Sequence, residues 1–279
     1  MIDLDEYPKV FIVVLNWNGK KDTIECLESL KQITYPSYEI LLVDNKSTDG
    51  SVECFRKRYP EIETIENENN LGFAGGNNIG IKRAMENGAD CLLILNNDTV
   101  VDKGILKELI EELYRDDTIG IVGPKIYYYD RPEILHMEKK YAGIESPLET
   151  FISGCCFLVK KNVFNEIGLL DDIFFLFFEE TDFFLRARKK GYRTLYVPTK
   201  GKVLHKFSPS VSKLKNAAAY HVARSGMIFF RKHKSLVFKD YFFSTLLYSI
   251  IIRLNLKGLI YFVIGLNDGL SIDINKVKK

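Results

Sequence analysis

Three polar clusters stand where apolar runs of the chain end: Asn16-Trp17-Asn18, Asp44-Asn45 and Asn96-Asn97-Asp98. Amides and carboxylates grouped at such ends can hold a polar, charged ligand. Loop polarity explains part of the pattern, because Asn and Asp are good turn residues. Asp98 is the sharpest case. The stretch "LLILNNDTV" leaves its apolar run through two asparagines and keeps one acid. Asp102 is placed to cap the helix whose stripe is Leu106, Leu109, Ile110 and Leu113, so Asp98 has no evident structural task. A second acidic group, Glu179, Glu180 and Asp182, follows the aromatics Phe174, Phe175, Phe177 and Phe178. A helix dipole favours acids at a solvated helix start. The aromatic approach instead brings this group in from a buried place.

The elements that must position these residues follow from periodicity. Val10 to Leu15 is a continuous β-branched and aliphatic run, expected of a strand buried on both faces. Ile24, Leu27, Leu30 and Ile33 form one stripe of a helix. Ile40 to Val43, Ile62 to Ile65 and Cys91 to Leu95 read as further strands, with helices through Val52 and Phe55 and through Ile81, Ala84 and Met85 between them. Strand and helix alternating at this spacing predict an α/β chain with a mainly parallel central sheet and helices on both faces. Ligands bind such sheets beyond the carboxyl ends of the strands. The three polar clusters therefore belong on one rim.

The bulk numbers set limits. The chain has 279 residues, 46% of them hydrophobic, enough for one large domain or one domain with an appended piece. A formal charge of +2 gives no reason to expect nucleic acid as a partner. Cys26, Cys54, Cys91, Cys155 and Cys156 lie scattered in apolar stretches, without zinc spacing and odd in number. Reduced cysteines in a cytoplasmic protein are the expectation. The start, "MIDLDEYPKV", carries acids where a secretory signal carries bases. The apolar run Tyr241 to Ile252 is about half of the roughly 20 residues that span a bilayer, so no membrane span is predicted. A dinucleotide site would need G-x-G-x-x-G after the first strand. The residues there are "NWNGKK", and the later "GFAGG" follows the wrong element.

The segments "VVLNWNG", "LLVDNKSTDGS", "NNLGFAGGNNIG", "LILNNDT", "SGCCFLVKK" and "FFEETDFFLRARKKGY" resemble the family 2 inverting glycosyltransferases, most closely the rhamnosyltransferase-like branch. The resemblance runs from about Lys9 to Ser212, and a late "GLNDGL" also resembles that branch. It implies the GT-A fold over 9–212, with a nucleotide-binding half (9–100) and an acceptor and catalytic half (101–212). The activity implied is transfer of a sugar from a nucleotide diphosphate to an acceptor hydroxyl, with inversion. The family's metal motif is nominally Asp-x-Asp. Here it is Asn96-Asn97-Asp98, with only the last acid kept. One or two carboxylates, phosphate oxygens and water commonly hold Mg²⁺. Asp98 is thus expected to hold Mg²⁺ or Mn²⁺, with Asn96 and Asn97 as neutral contacts to sugar or phosphate.

Other positions carry over by the same resemblance. Asp44 matches the family aspartate that accepts the imide N–H of the nucleobase, which uracil and thymine both offer, so UDP and dTDP donors stay open. Asn16, Trp17 and Asn45 fall beside it, Trp17 where the family places an aromatic against the base. Gly75, Gly76 and Asn77 match a loop beside the nucleotide, where glycine permits close approach. His205, in "KVLHKFSPS", matches a histidine that completes the metal or diphosphate site in many relatives. In "FFEETDFF" the catalytic aspartate falls on Glu180, a longer acid, with Glu179 and Asp182 in support. An acceptor hydroxyl must lose its proton as it attacks, and a carboxylate suits that task. Arg186 to Arg193 reads as a solvated helix face, with a phosphate role for Arg186 or Arg188 as the lesser alternative.

Residues 213–279 change character: aromatic, helical in pattern and interleaved with Lys and Arg. They predict a C-terminal helical extension, a cap on the core with peripheral membrane contact at the inner face, where a glycan or lipid-linked acceptor would sit. Two competing functions remain. A nucleotidyltransferase on a similar sheet would need a Gly- and Arg-rich phosphate loop, which "NWNGKK" lacks. A non-catalytic sugar-nucleotide or glycan-binding relative is kept open by the missing acid at position 96.

Overall fold

The computed structural model describes residues 7–135, 152–206, 216–234 and 256–274. Strands β1 (Val10–Asn16), β2 (Tyr38–Asp44), β3 (Glu63–Glu66) and β4 (Cys91–Asn96) alternate with helices α1 (Lys20–Leu30), α2 (Ser51–Arg58) and α3 (Gly72–Glu86). Short β5 (Thr99–Val101) then leads to α4 (Ile105–Leu113), β6 (Ile119–Pro124), β7 (Ile126–Tyr128) and β8 (Arg131–Leu135). The chain continues through β9 (Cys156–Lys160), α5 (Lys161–Ile167), α6 (Glu179–Lys189), β10 (Arg193–Val197) and β11 (Val203–His205), and ends with α7 (Asn216–His233) and α8 (Leu256–Ser271).

A seven-stranded sheet in the order β10-β6-β9-β4-β1-β2-β3 forms the centre. β1 runs parallel to β2 and β4, with Asn16 opposite Asp44 and Leu15 opposite Asn96. The three polar strand ends predicted to share a rim do share it. Alternate residues of β1 divide between the two faces. Val10, Ile12 and Val14 join the cluster under α1 and α4, whereas Phe11 and Val13 join the one under α3 and α6. Both faces of the sheet are buried, which explains why β1 and β4 read as unbroken apolar runs.

Several features differ from the sequence reading. β9 enters the sheet antiparallel, between β4 and β6. A second, four-stranded sheet, β5-β11-β7-β8, was not anticipated. Gly75, Gly76 and Asn77 lie inside α3 rather than in a loop. Asp102 does not cap α4 with its side chain. Its carbonyl accepts the Ile105 N–H, and its carboxylate accepts the Lys202 N–H at 2.8 Å. The expected domain boundary at Ser212 and the run Tyr241 to Ile252 lie outside the described residues. Among the described residues, no helix is long and apolar enough to cross a membrane.

α3 reaches the sheet by close contact at its glycines. A Cβ at Gly80 would lie 2.5 Å from Val13 Cγ1 and 3.0 Å from Val43 Cγ2, both on stiff buried side chains. Gly80→Val should therefore cost about 1–3 kcal/mol through overpacking. Urea unfolding checks this as a lower midpoint at unchanged slope.

Candidate functional site

The rim is organised around the Asn16 side chain. Its amide nitrogen donates to Asp44 Oδ2 (2.6 Å) and Ser47 Oγ (3.0 Å). Its amide oxygen accepts from the Gly19 N–H (3.2 Å), Thr23 Oγ1 (2.8 Å) and Asn97 Nδ2 (3.2 Å). Asp44 is fully enclosed and also takes the Ser47 N–H at 2.7 Å. Asn97 Nδ2 is held as well by Thr23 Oγ1 at 2.8 Å. Asn45 ties the next layer. Its Nδ2 donates to Gly72 O (2.8 Å), and its Oδ1 accepts from Asn67 Nδ2 (2.8 Å). Trp17 and Asn96 are half-buried at the same edge.

Gly76 lets α3 approach this layer, since a Cβ there would meet Leu15 Cδ1 at 2.6 Å and Asn45 Nδ2 at 2.7 Å. Gly75 instead lines an open groove of about 240 Å³ with Leu71, Asn78, Ile79, Lys82 and Asp172. Asn77 is buried and bonds Phe73 O within its own helix.

The second sheet delivers His205. β11 pairs antiparallel with β5, placing His205 opposite Thr99, the residue after Asp98. His205 Nε2 and Asp98 Oδ1 are 3.1 Å apart, with side chains 11% and 7% exposed. The Lys206 N–H donates to Asp98 O (3.0 Å), and Lys206 Nζ reaches Asp22 and Glu25 on α1, pinning this strand end over the rim. Burial opposes a charge on His205, yet Cys155 beside it and the Asp98 carboxylate push the imidazole up to about 10. Once the imidazole gives up that proton, a carboxylate oxygen and an imidazole nitrogen facing each other at this distance are a donor pair that fits a divalent cation. Among the described residues no group of three or more His, Cys, Asp or Glu is arranged for a metal. A cation at this pair would need further oxygens from a ligand and from water.

Glu179 and Glu180 open α6, where the helix N-terminus faces them. They are not a solvated helix start. Glu179 is buried, and its Oε2 has no hydrogen-bond partner among the described residues. Burial, then the neighbouring Glu180 charge, pushes the Glu179 carboxyl well above the usual range. Burial raises Glu180 too. Glu180 packs on the segment before β9: a Cβ at Gly154 would lie 2.9 Å from its Cγ and 3.1 Å from its Cδ. The next residue, Cys155, stands beside the His205 side chain, and its carbonyl accepts the Asn96 N–H at 2.9 Å. Gly154–Cys155 thus joins the acid pair to the Asp98–His205 pair.

Asp182 faces elsewhere. Its Oδ2 is 2.7 Å from Arg186 Nε, and its Oδ1 is 2.7 Å from both Lys232 Nζ and His233 Nε2 on α7. Arg186 is no solvated residue, because it also donates to Ile167 O (2.6 Å) and Leu169 O (2.7 Å). Arg188 bonds Thr194 Oγ1 rather than facing solvent. Residues of the site that the sequence does not single out are Ser47, Thr23, Gly154, Cys155, Lys232 and His233. For Gly154 and Cys155 the signal lay in "SGCCFLVKK", a small-residue step into an apolar strand. Lys232 and His233 carry none, because a basic helix end is ordinary.

Burial opposes ionisation of Asp182, but the His233 hydrogen bond and the Arg186 and Lys232 charges hold its carboxyl at about 2 against an ordinary 3.8. A carboxyl depressed by folding adds stability that is complete above its unfolded value and is lost as pH falls through its folded value. The shift corresponds to about 2 kcal/mol. In urea unfolding, the stability gap between wild type and Asp182→Asn should therefore be full at pH 7 and close by about that amount between pH 4 and 2.

Comparison with known proteins bears on the family and the fold. An N-acetylglucosaminyl-diphospho-decaprenol L-rhamnosyltransferase of Mycobacterium tuberculosis is 25% identical over 234 residues, covering 70% of this chain and 76% of that protein. The low-salt glycan biosynthesis hexosyltransferase Agl10 of Haloferax volcanii is 25% identical over 196 residues, covering 64% of this chain and 62% of that one. Among solved structures, the mannosyltransferase PcManGT from Pyrobaculum calidifontis, in complex with GDP-Man and Mn²⁺, superposes with a TM-score of 0.65 at 16% identity, over 99% of this chain and 79% of that one. Residues 1–349 of S. aureus TarS, in complex with UDP, match with a TM-score of 0.65 at 17% identity, over 96% and 82%. At such identities the likeness concerns the fold, which is GT-A. The sequence model of Glycosyl transferase family 2 matches residues 11–168. The chain is a glycosyltransferase and belongs to that family.

Proposed function

We propose that the chain is an inverting transferase that moves a hexosyl or deoxyhexosyl group from a UDP- or dTDP-sugar to a hydroxyl of a glycan or lipid-linked saccharide. The observation that carries this reading is the contact of Glu180 with Gly154, one residue from Cys155, which stands beside His205 of the Asp98–His205 pair. A proton acceptor and a cation-binding pair converge there from separate parts of the chain. An inverting transfer needs both within one substrate length.

In this reading Glu180 takes the proton of the acceptor hydroxyl as its oxygen bonds to the anomeric carbon. The bond from that carbon to the diphosphate oxygen breaks on the opposite face, and the nucleoside diphosphate leaves with the electron pair. A Mg²⁺ or Mn²⁺ ion held by Asp98 and His205 would offset the charge growing on the diphosphate. Burial and the neighbouring Glu180 charge make Glu179 hold its proton more tightly, which opposes a second negative charge beside the base. Asp44 retains a second lone pair on each oxygen, already oriented by Asn16 and Ser47, for the imide N–H of uracil or thymine. Trp17 offers a ring for the base, Asn96 a neutral contact to sugar or phosphate, and the amide oxygen of Asn97 another. Support for the donor and acceptor classes comes from relatives. One is named for an L-rhamnosyl transfer involving a diphospho-decaprenol, and solved neighbours carry GDP-Man with Mn²⁺ or UDP. Work at the cytoplasmic face of a membrane suits such an acceptor. The α8 face that exposes Ile260, Val263, Ile264 and Leu270 would rest there.

Glu180→Gln should lower turnover by about 10²–10⁴ while leaving donor affinity nearly unchanged. The acid limb of wild-type kcat/KM should titrate above 4.5, the ordinary glutamate value, because burial raises the folded carboxyl. That limb belongs to the Glu179–Glu180 pair and should vanish in Glu180→Gln. Full activity in Glu180→Gln would remove the residue from the chemistry.

Asp98→Asn should weaken Mn²⁺-dependent UDP or dTDP binding in calorimetry, measured per folded molecule. Tight binding of NAD with no response to either pyrimidine nucleotide would reject the donor class.

A further inference from the structure

The acid pair is held from two sides. The aromatic strap Ile173–Phe178 leads into α6, and Phe177 and Phe178 both have left-handed backbones, with φ of 69° and 73°. Two consecutive bulky residues in that region are costly and persist only where their surroundings enforce them. On the nucleotide side, the Phe73 N–H donates to Phe175 O at 2.7 Å. Gly72 makes room with φ of 71°, since a Cβ there would stand 2.2 Å from that carbonyl. On the other side lies the C-terminal extension. Arg224 Nη1 donates to Ile173 O and Ser225 Oγ to Leu176 O, both at 2.8 Å.

The same extension grips α6 directly. Lys232 Nζ stands 2.7 Å from Asp182 Oδ1 and 2.5 Å from Asp171 Oδ2. His233 Nε2 shares Asp182 Oδ1 at 2.7 Å, and its ring packs at a tilt against Phe229. Asp182 is fully enclosed and His233 nearly so, with side-chain exposures of 0% and 4%. Buried ion groups of this kind are often no better for stability than apolar residues of the same size. What they do supply is fixed geometry at the first turn of the helix that carries Glu180.

We propose that Lys232 and His233 are positioning residues for sugar transfer: by gripping Asp182 they set the first turn of α6 and hold the Glu180 carboxyl against Gly154, beside the Asp98–His205 pair. The inference rests on Glu180 as the base. The C-terminal extension is then part of the catalytic apparatus, acting through Asp182 rather than on the reacting atoms. A misplacement of about 1 Å in a reacting group can cost on the order of 10²-fold in rate.

The test uses the full chain with Mn²⁺ and the best donor among UDP-glucose, UDP-N-acetylglucosamine and dTDP-rhamnose, judged by melting shift. Release of UDP or dTDP is followed with water as acceptor. Lys232→Met should lower kcat about 10- to 100-fold per folded molecule, with donor KM within about twofold. Hydrogen exchange should speed up across residues 177–182, a readout that needs no donor. Lys232→Arg should restore most of kcat, and Lys232→Met should add little in an Asp182→Asn background, as coupled residues do. His233→Gln gives a second, milder variant if Lys232→Met does not fold. Wild-type kcat and exchange in the folded variants overturn the proposal. So does a loss that vanishes on correction for folded fraction, or one carried by donor KM. Glu180→Gln run in parallel separates the two readings. If it is inactive while Lys232→Met and His233→Gln are normal, the positioning role alone fails. If it is fully active, the base assignment fails and takes the positioning role with it.

Discussion

The carboxamide of Asn16 satisfies three strand ends at once, and the rest of the site depends on it. β1, β2 and β4 stop at the same level, so their last residues lose sheet partners together. Polar groups buried there without partners would each cost about 1–3 kcal/mol. A side chain that both donates and accepts can serve all three. Asn16 donates to Asp44 of β2 and accepts from Asn97 beyond β4 and from Thr23 on α1. An aspartate at position 16 could only accept, and would stand 2.6 Å from the oxygen of Asp44. The asparagines of "LILNNDT" belong to the same economy of charge. With Asn97 drawn into the amide network, Asp98 is the acid left facing His205.

A flat rim does not make a site by itself. The small sheet does the converging: β11 folds back antiparallel on β5 and brings His205 over the end of β4. β9 enters the main sheet antiparallel to β4, and the residues before it, Gly154 and Cys155, lie between the imidazole and the Glu180 side chain. The absence of a side chain at Gly154 matters here, since even a methyl group would collide with Glu180.

Opposite charge environments divide the acids of α6. Glu179 is buried and Glu180 partly buried, both with little compensation, so protons are held more tightly. Asp182 is enclosed too but surrounded by Arg186, Lys232 and His233, so its proton leaves more easily. Within one helical turn the fold thus produces two groups whose protons are held more tightly than usual and one that stays charged. A carboxyl with a raised affinity for protons suits proton transfer, whereas a permanently charged, fully paired carboxylate suits anchoring.

The sequence by itself determined the central strands, the rim and the identity of the groups on it. Unbroken apolar runs such as Val10 to Leu15 fit only strands covered on both faces, and that requirement is local. Polar residues at the ends of those runs can only lie at strand ends, so Asn16, Asp44 and Asp98 were legible before any coordinates. The tertiary structure decided what each group touches. An apolar strand such as β9 pairs equally well in either direction, so its antiparallel entry was not legible. Nor was the closure of β11 on β5, which sets the 3.1 Å contact of His205 with Asp98. The three acids of "FFEETDFF" look alike in sequence. Their burial and partners come from elements distant in the chain, above all the Lys232 and His233 end of α7. A charge acquires its role from the dielectric and the counter-charges around it, and those exist only once the chain is folded.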